Sequence, residues 1–185
     1  MTMARRAAAI VLLLLVAGCG SANRQPGQSE ATPTDCQPLP SGAEKSEPAV
    51  GTSLLISAQV EARTCSDRVV FGFRDNPGEP PGFYSSYEPA AAAKTEDGSG
   101  RAIEIAGSAF LVIRLSNAAT ADILGDKVTP TYTGPRRITA AGTRFIREVV
   151  KTGDFENTVT WVIGLDEKRP YLARSSGSQI VVDVD

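Results

Sequence analysis

Apolar residues in this chain recur at every second position in short runs, the period that a half-buried β-strand imposes. Leu54, Ile56, Ala58 and Val60 alternate with Ser57, Gln59 and Glu61. Val69, Phe71 and Phe73 alternate with Arg68, Gly72 and Arg74. Val159, Trp161, Ile163 and Leu165 do the same against Thr158, Thr160 and Val162. The chain closes on Ile180, Val182 and Val184, with Asp183 and Asp185 expected outward. Ala109-Phe110-Leu111-Val112-Ile113 is apolar on both faces, as a central strand is. Gly, Pro, Asn and Asp punctuate these runs. Residues 51–185 are therefore expected to form an all-β sandwich of short, mainly antiparallel strands.

Helical signals are weak. Residues 90–94 after Pro89 could make one turn, and residues 120–127 another. The stretch Arg144-Phe145-Ile146-Arg147-Glu148-Val149-Val150-Lys151 fits both periods. It reads best as a strand, because a turn over residues 152–157 would pair it with the Trp161 strand as a hairpin.

The N-terminal third has a different character. Arg5 and Arg6 precede an apolar run over residues 7–17. Its 11 residues fall short of the ~20 that a membrane-spanning helix needs. Then comes Leu15-Val16-Ala17-Gly18-Cys19. Positive start, short apolar centre and small residues before a cysteine predict a signal peptide over residues 1–19. The last five residues resemble the lipobox of bacterial lipoproteins, which implies that Cys19 receives diacylglycerol and becomes the new N-terminus. Several acyl chains at ~0.8 kcal/mol per buried CH₂ would hold the protein on a membrane, with the domain on the extracytoplasmic face.

Residues 20–50 carry five prolines and only two large aliphatics, Leu39 and Val50. Such a stretch has too little to bury to offset its ordering entropy. A disordered tether spanning ~30 Å on average is expected. Cys36 interrupts it. Cys65 is the only other cysteine beyond Cys19. Outside the cytoplasm two thiols usually pair, so a Cys36–Cys65 disulfide is expected, stapling the end of the tether to the domain.

Charge and composition exclude several functions. Residues 1–19 hold two of the 19 basic residues and no acid, so the rest has 17 basic against 21 acidic. A polyanion binder wants the opposite balance, so no nucleic-acid partner is expected. The chain has no histidine. That removes the commonest general base and metal ligand and every imidazole-based triad. No G-x-S-x-G motif occurs, and no thiol remains after lipidation and pairing. The acidic pairs Glu96-Asp97 and Asp166-Glu167 lack the dense spacing of a calcium loop. The chain is read as a non-catalytic monomer without metal or cofactor.

The order of several short motifs resembles one family. Asp67-Arg68-Val69-Val70-Phe71 comes first, then Gly98-Ser99-Gly100-Arg101 leading into Gly107-Ser108-Ala109-Phe110-Leu111-Val112. Tyr132-Thr133-Gly134-Pro135-Arg136-Arg137-Ile138, Gly153-Asp154-Phe155-Glu156 and Trp161-Val162-Ile163-Gly164-Leu165-Asp166 follow, and Ile180-Val181-Val182-Asp183-Val184 ends the series. Together they resemble the AMIN-like domain of secreted lipoproteins, over about residues 50–185. The family's name marks similarity to the AMIN domain of cell-wall amidases, a small β-sandwich that binds peptidoglycan or septal envelope components. The resemblance implies envelope binding and no amidase activity.

Two constellations are candidate ligand sites. Arg136 and Arg137 follow a Gly-Pro turn and share a segment with Tyr132. Guanidinium groups clamp carboxylates, and a ring beside them could stack on a sugar; a solvated loop with an incidental basic pair is the alternative. Tyr84 and Tyr87, with Phe83, follow Pro80-Pro81-Gly82. They suit a binding surface or an edge strand whose rings cap the sandwich. Trp161 belongs to the core face. Arg68 and Arg74 are expected as outward partners in surface ion pairs of little energetic weight. A binder of peptidoglycan or another wall component is the first functional expectation, and an adapter that holds a wall-acting enzyme or secretion component is the second.

Overall fold

A computed structural model describes residues 36–40, 45–47, 52–74, 82–124 and 126–185. The signal peptide, Cys19 and the tether up to residue 35 lie outside the described residues. In chain order the elements are β1 (Lys45–Glu47), β2 (Ser53–Ala62), β3 (Asp67–Phe73), β4 (Gly82–Glu88), α1 (Ala90–Ala93), β5 (Ala109–Ser116), β6 (Ala118–Ala119), β7 (Ala121–Asp122), β8 (Thr129–Pro130), β9 (Arg137–Thr139), β10 (Ile146–Phe155), β11 (Thr158–Leu165), β12 (Tyr171–Ser176) and β13 (Gln179–Val184).

Two sheets face each other. The first runs β1-β4-β5-β11-β10-β9 and the second β12-β13-β3-β2-β6. Every pairing is antiparallel except β2 with β6. Between the sheets lie Val69, Phe71 and Phe73 from β3, Leu111, Ile113 and Leu115 from β5, Val159, Trp161, Ile163 and Leu165 from β11, and Ile180, Val182 and Val184 from β13. The all-β sandwich expected from the alternation is the observed fold. Strand β5 is indeed central, flanked by β4 and β11. Its second apolar face has its own cover: Phe110, Val112, Val150 and Val162 pack under Ala93, Ile103 and Ile105.

Strands β10 and β11 form the expected hairpin, but its turn is tighter than residues 152–157. Pairing continues to Phe155↔Thr158. Glu156 and Asn157 alone turn the chain, at φ 47° and 60°, the backbone a two-residue type I′ turn requires. Asn117 (φ 50°) performs a similar task, ending β5 and delivering Ala118 to the opposite sheet.

Three expectations need correction. A register shift between Leu55 and Ser57 interrupts β2. It leaves Leu55 fully buried and Ile56 48 % exposed, whereas simple alternation put Ile56 inside. Bulges of this kind reset the inward face by one residue. The described residues of the stretch 120–127 are not helical; they contain β7, which pairs β8. Asp183 does stand on the outer face, but it is only 6 % exposed. Arg68 grips both its oxygens (Nε–Oδ1 2.5 Å, Nη2–Oδ2 2.9 Å) and Arg174 adds a third bond at 2.9 Å. That is a bidentate, part-buried pair, stronger than the surface contact expected of Arg68. The expected staple at the end of the tether is present, and a short strand accompanies it. Lys45–Glu47 pairs antiparallel with β4. A Cys36–Cys65 disulfide joins residues 29 apart in sequence, and the Leu39 N–H donates to Asp185 at 3.0 Å.

Candidate functional site

The outer face of the first sheet carries a groove, and a glycine-bearing loop forms one wall. After α1 the chain makes a narrow excursion closed by a bridge between Thr95 and Ala102. The Glu96 N–H donates to Arg101 O at 2.8 Å, and Gly100 N–H to Glu96 O at 3.0 Å. Gly98 and Gly100 supply the left-handed backbone the tip needs, at φ 77° and 67°. The loop then docks on the edge of β10, where the Asp97 N–H donates to Thr152 O at 3.1 Å. Gly153 makes this approach possible. A Cβ there would lie 2.1 Å from Asp97 Oδ2 and 2.8 Å from Asp97 Cβ.

Arg136 and Arg137 form the opposite wall, and both are held by ion pairs. The Arg136 backbone O accepts from Lys151 N–H (2.8 Å), and its Nε donates to Lys151 O (2.9 Å), so the residue extends the β9–β10 pairing. Its Nη2 meets Glu96 Oε1 at 2.5 Å. Glu96 also accepts from Ser99 Oγ at 2.6 Å and pairs with Arg101 at 3.0 Å. The Ser99 hydroxyl first, and then Arg136, hold its carboxyl at about 2, well below the ordinary 4.5. Arg137 reaches Glu148 at 2.5 Å and donates to Glu104 O at 2.7 Å. Glu148 is itself buried and accepts from the Ala106 N–H at 3.0 Å. Arg136 and Arg137 nonetheless remain 45 % and 44 % exposed. The guanidinium groups are fixed in place while part of each faces solvent.

Arg136 separates two hollows. One, of about 370 Å³, is lined by Glu96, Asp97, Arg136, Lys151, Gly153 and Asp154. The other, of about 430 Å³, is lined by Arg101, Glu104, Arg136, Arg137 and Val150 among others. Their charges differ in sign. The first sets three carboxylates against two cations, and the second sets three guanidinium groups against one carboxylate. In the first, Asp154 already accepts from Lys151 Nζ at 3.1 Å and from Thr120. Asp97 is exposed, and among the described residues its carboxylate has no hydrogen bond or ion pair.

Tyr132 does not join the arginines as a stacking platform. It is only 9 % exposed, packs edge-on to Trp161 at 5.6 Å, and donates its hydroxyl to Pro135 O at 2.7 Å. Its short path back to Pro135 shapes the turn that presents Arg136 and Arg137. Tyr84 and Tyr87 lie on β4, four strands from β9, or ~19 Å at the usual strand spacing. Tyr87 packs edge-on to Tyr171 and its hydroxyl bonds the Arg169 backbone in both directions, at 2.7 and 3.0 Å. It caps the sandwich. The groove residues that sequence reasoning did not connect are Glu96, Asp97, Arg101, Glu148 and Lys151. A signal existed for three of them: Glu96-Asp97 and Arg101 flank Gly98-Ser99-Gly100, a turn that must bring them together.

A family model for the AMIN-like domain matches residues 53–185. The chain belongs to the AMIN-like domain family. The match begins at the first residue of β2 and takes in every residue of the groove. Cys36 and β1 precede it, so the disulfide ties the AMIN-like domain to a segment outside the matched region. No curated protein and no solved structure matches the chain.

Proposed function

We propose that this AMIN-like domain is a non-catalytic module that binds a cell-envelope component, peptidoglycan or another wall polymer, from a lipid anchor on Cys19. One observation carries the reading: Arg101, Arg136 and Arg137 converge on one hollow, pinned by Glu96 and Glu148, with guanidinium surface left open. Pre-positioned guanidinium groups bind carboxylates at low ordering cost. Wall stem peptides end in carboxylates. Family membership supports an envelope role through the kinship of AMIN-like with AMIN domains.

Sedimentation with purified insoluble peptidoglycan tests the reading. The protein is retained, and an Arg136→Ala/Arg137→Ala variant is retained several-fold less. Equal retention of the two contradicts it. The anchor has its own test. The protein partitions into the detergent phase of a clouding detergent, and Cys19→Ala abolishes this; unchanged partition contradicts lipidation.

A second reading, an adapter for a wall-acting enzyme or secretion component, has a different observation behind it. Ile123, Leu124 and Val128 between β7 and β8 are 70, 96 and 68 % exposed. Ile123 and Leu124 also line an open hollow with Leu54 and Ala119. Apolar side chains clustered in this way mark protein contacts. Co-purification of one protein, lost on Leu124→Ser, with no retention on peptidoglycan, would favour it.

A further inference from the structure

We propose that the groove beside Arg136 recognises a diamino-acid residue of a wall peptide through both of its charges, the carboxylate in the arginine-lined hollow and the free side-chain ammonium against Asp97. The inference rests on the envelope-binding reading and names the ligand class for that same site.

Three alternatives fit the groove less well. A polyphosphate polymer would suit Arg101, Arg136 and Arg137 but would run on into Glu96, Asp97 and Asp154. A cationic polymer would meet the reverse problem. A neutral glycan wants rings and hydroxyls; Tyr132 is spent on Trp161 and Pro135, and the exposed ring of Phe155 lies against Gly98 at the loop tip, away from the arginine-lined hollow. A ligand carrying both signs a few bonds apart satisfies both hollows at once. Strand β10 floors the two, with Val150 under the basic one and Lys151, Gly153 and Asp154 under the acidic one. Consecutive strand residues advance ~3.3 Å, so the hollows are a side chain's length apart.

Asp97 is the element of choice for the ammonium. Glu96 is saturated by Ser99, Arg101 and Arg136, and Asp154 by Lys151 and Thr120. Asp97 alone among these acids has no hydrogen bond or ion pair within the described residues, its charge acting only at longer range on Arg114, and Gly153 and the Thr152 carbonyl hold it over the groove. In a cross-linked wall the side-chain amine is acylated and loses its charge. The site is thereby selective for peptides whose diamino acid keeps both a free amine and a free carboxylate.

The test titrates the full chain, in detergent, with three soluble tripeptides ending in lysine. The first is unmodified, the second is acetylated on the side-chain amine, and the third is amidated at the terminal carboxyl. The unmodified peptide binds, and each modification weakens binding by about tenfold, the worth of one good charged contact. Asp97→Asn, an exposed substitution that leaves the fold intact, abolishes the preference for the free amine over the acetylated form. Arg136→Ala/Arg137→Ala abolishes the preference for the free carboxyl. Equal binding of free and acetylated peptides, or a preference that survives Asp97→Asn, overturns the inference. If no tripeptide binds while insoluble peptidoglycan still retains the protein, this inference fails and the envelope reading stands. If peptidoglycan is not retained either, both fail.

Discussion

The carboxylate of Asp67 is fully buried at the start of β3 and accepts three backbone N–H bonds, from Arg144 (3.2 Å), Phe145 (2.6 Å) and Ile146 (3.0 Å). It fastens one sheet to the strand entry of the other. Replacing it leaves three N–H groups without an acceptor in a dry site. Asp67→Ala is expected to cost about 3 kcal/mol, at the strong end for charge-assisted bonds, and denaturant unfolding will measure it. Glu96 acts at the surface and through pH. Its folded-state carboxyl is depressed to about 2 from 4.5, so its contribution to stability is present above pH 4.5 and disappears as the pH falls toward 2. Unfolding midpoints measured from pH 5 to pH 2 should fall less steeply in Glu96→Gln than in the parent. A carbon-detected titration of the Glu96 carboxyl in Arg136→Ala should find it shifted upward, since that variant removes the second of the two leading causes.

At the level of elements, much of the fold was legible because burial in a sandwich follows the strand period directly. Val69, Phe71, Phe73, Trp161, Ile163 and the β13 residues alternate without interruption, and each sits where the period puts it. Reading failed where the backbone departs from that period. The β2 bulge at Ile56 is set by cross-strand registration with β3, and no local residue announces it. The half of the groove wall that is a loop was hidden for a related reason. Glu96, Arg101 and Arg136 meet through tertiary docking of the loop on β10, 35 or more positions apart for Arg136, and spacing alone says nothing of it. Tyr132 misled in the opposite sense: its Gly-Pro neighbours suggest exposure, while Trp161 draws its ring inside. The disulfide was readable from cysteine arithmetic. Its energetic consequence is a prediction at this scale: a 29-residue separation confers ~3–4 kcal/mol in the chain-entropy model. Reduction, or Cys36→Ser/Cys65→Ser, is expected to lower Tm by roughly 10 °C, read by calorimetry with and without reductant.

Across the whole molecule, the disulfide and the groove lie toward opposite ends of β10. Cys65 sits in the turn after β2, whose Arg63 and Thr64 carbonyls accept from Arg144 just before β10. The acidic hollow lies by Asp154, eight residues beyond Ile146, or ~26 Å along the strand. The Ile123–Leu124 segment adjoins Asp154 through Thr120, but its hollow and the β4 tyrosines involve other residues than the groove, so the three readings of where this AMIN-like domain makes contact can be told apart residue by residue. Amide chemical-shift mapping of the folded chain during titration with solubilised peptidoglycan fragments does this most directly. The account predicts shifts concentrated at residues 96–104, 136–139 and 148–154. Shifts confined to residues 121–130 or to β4, or none at all at saturating fragment, would contradict it.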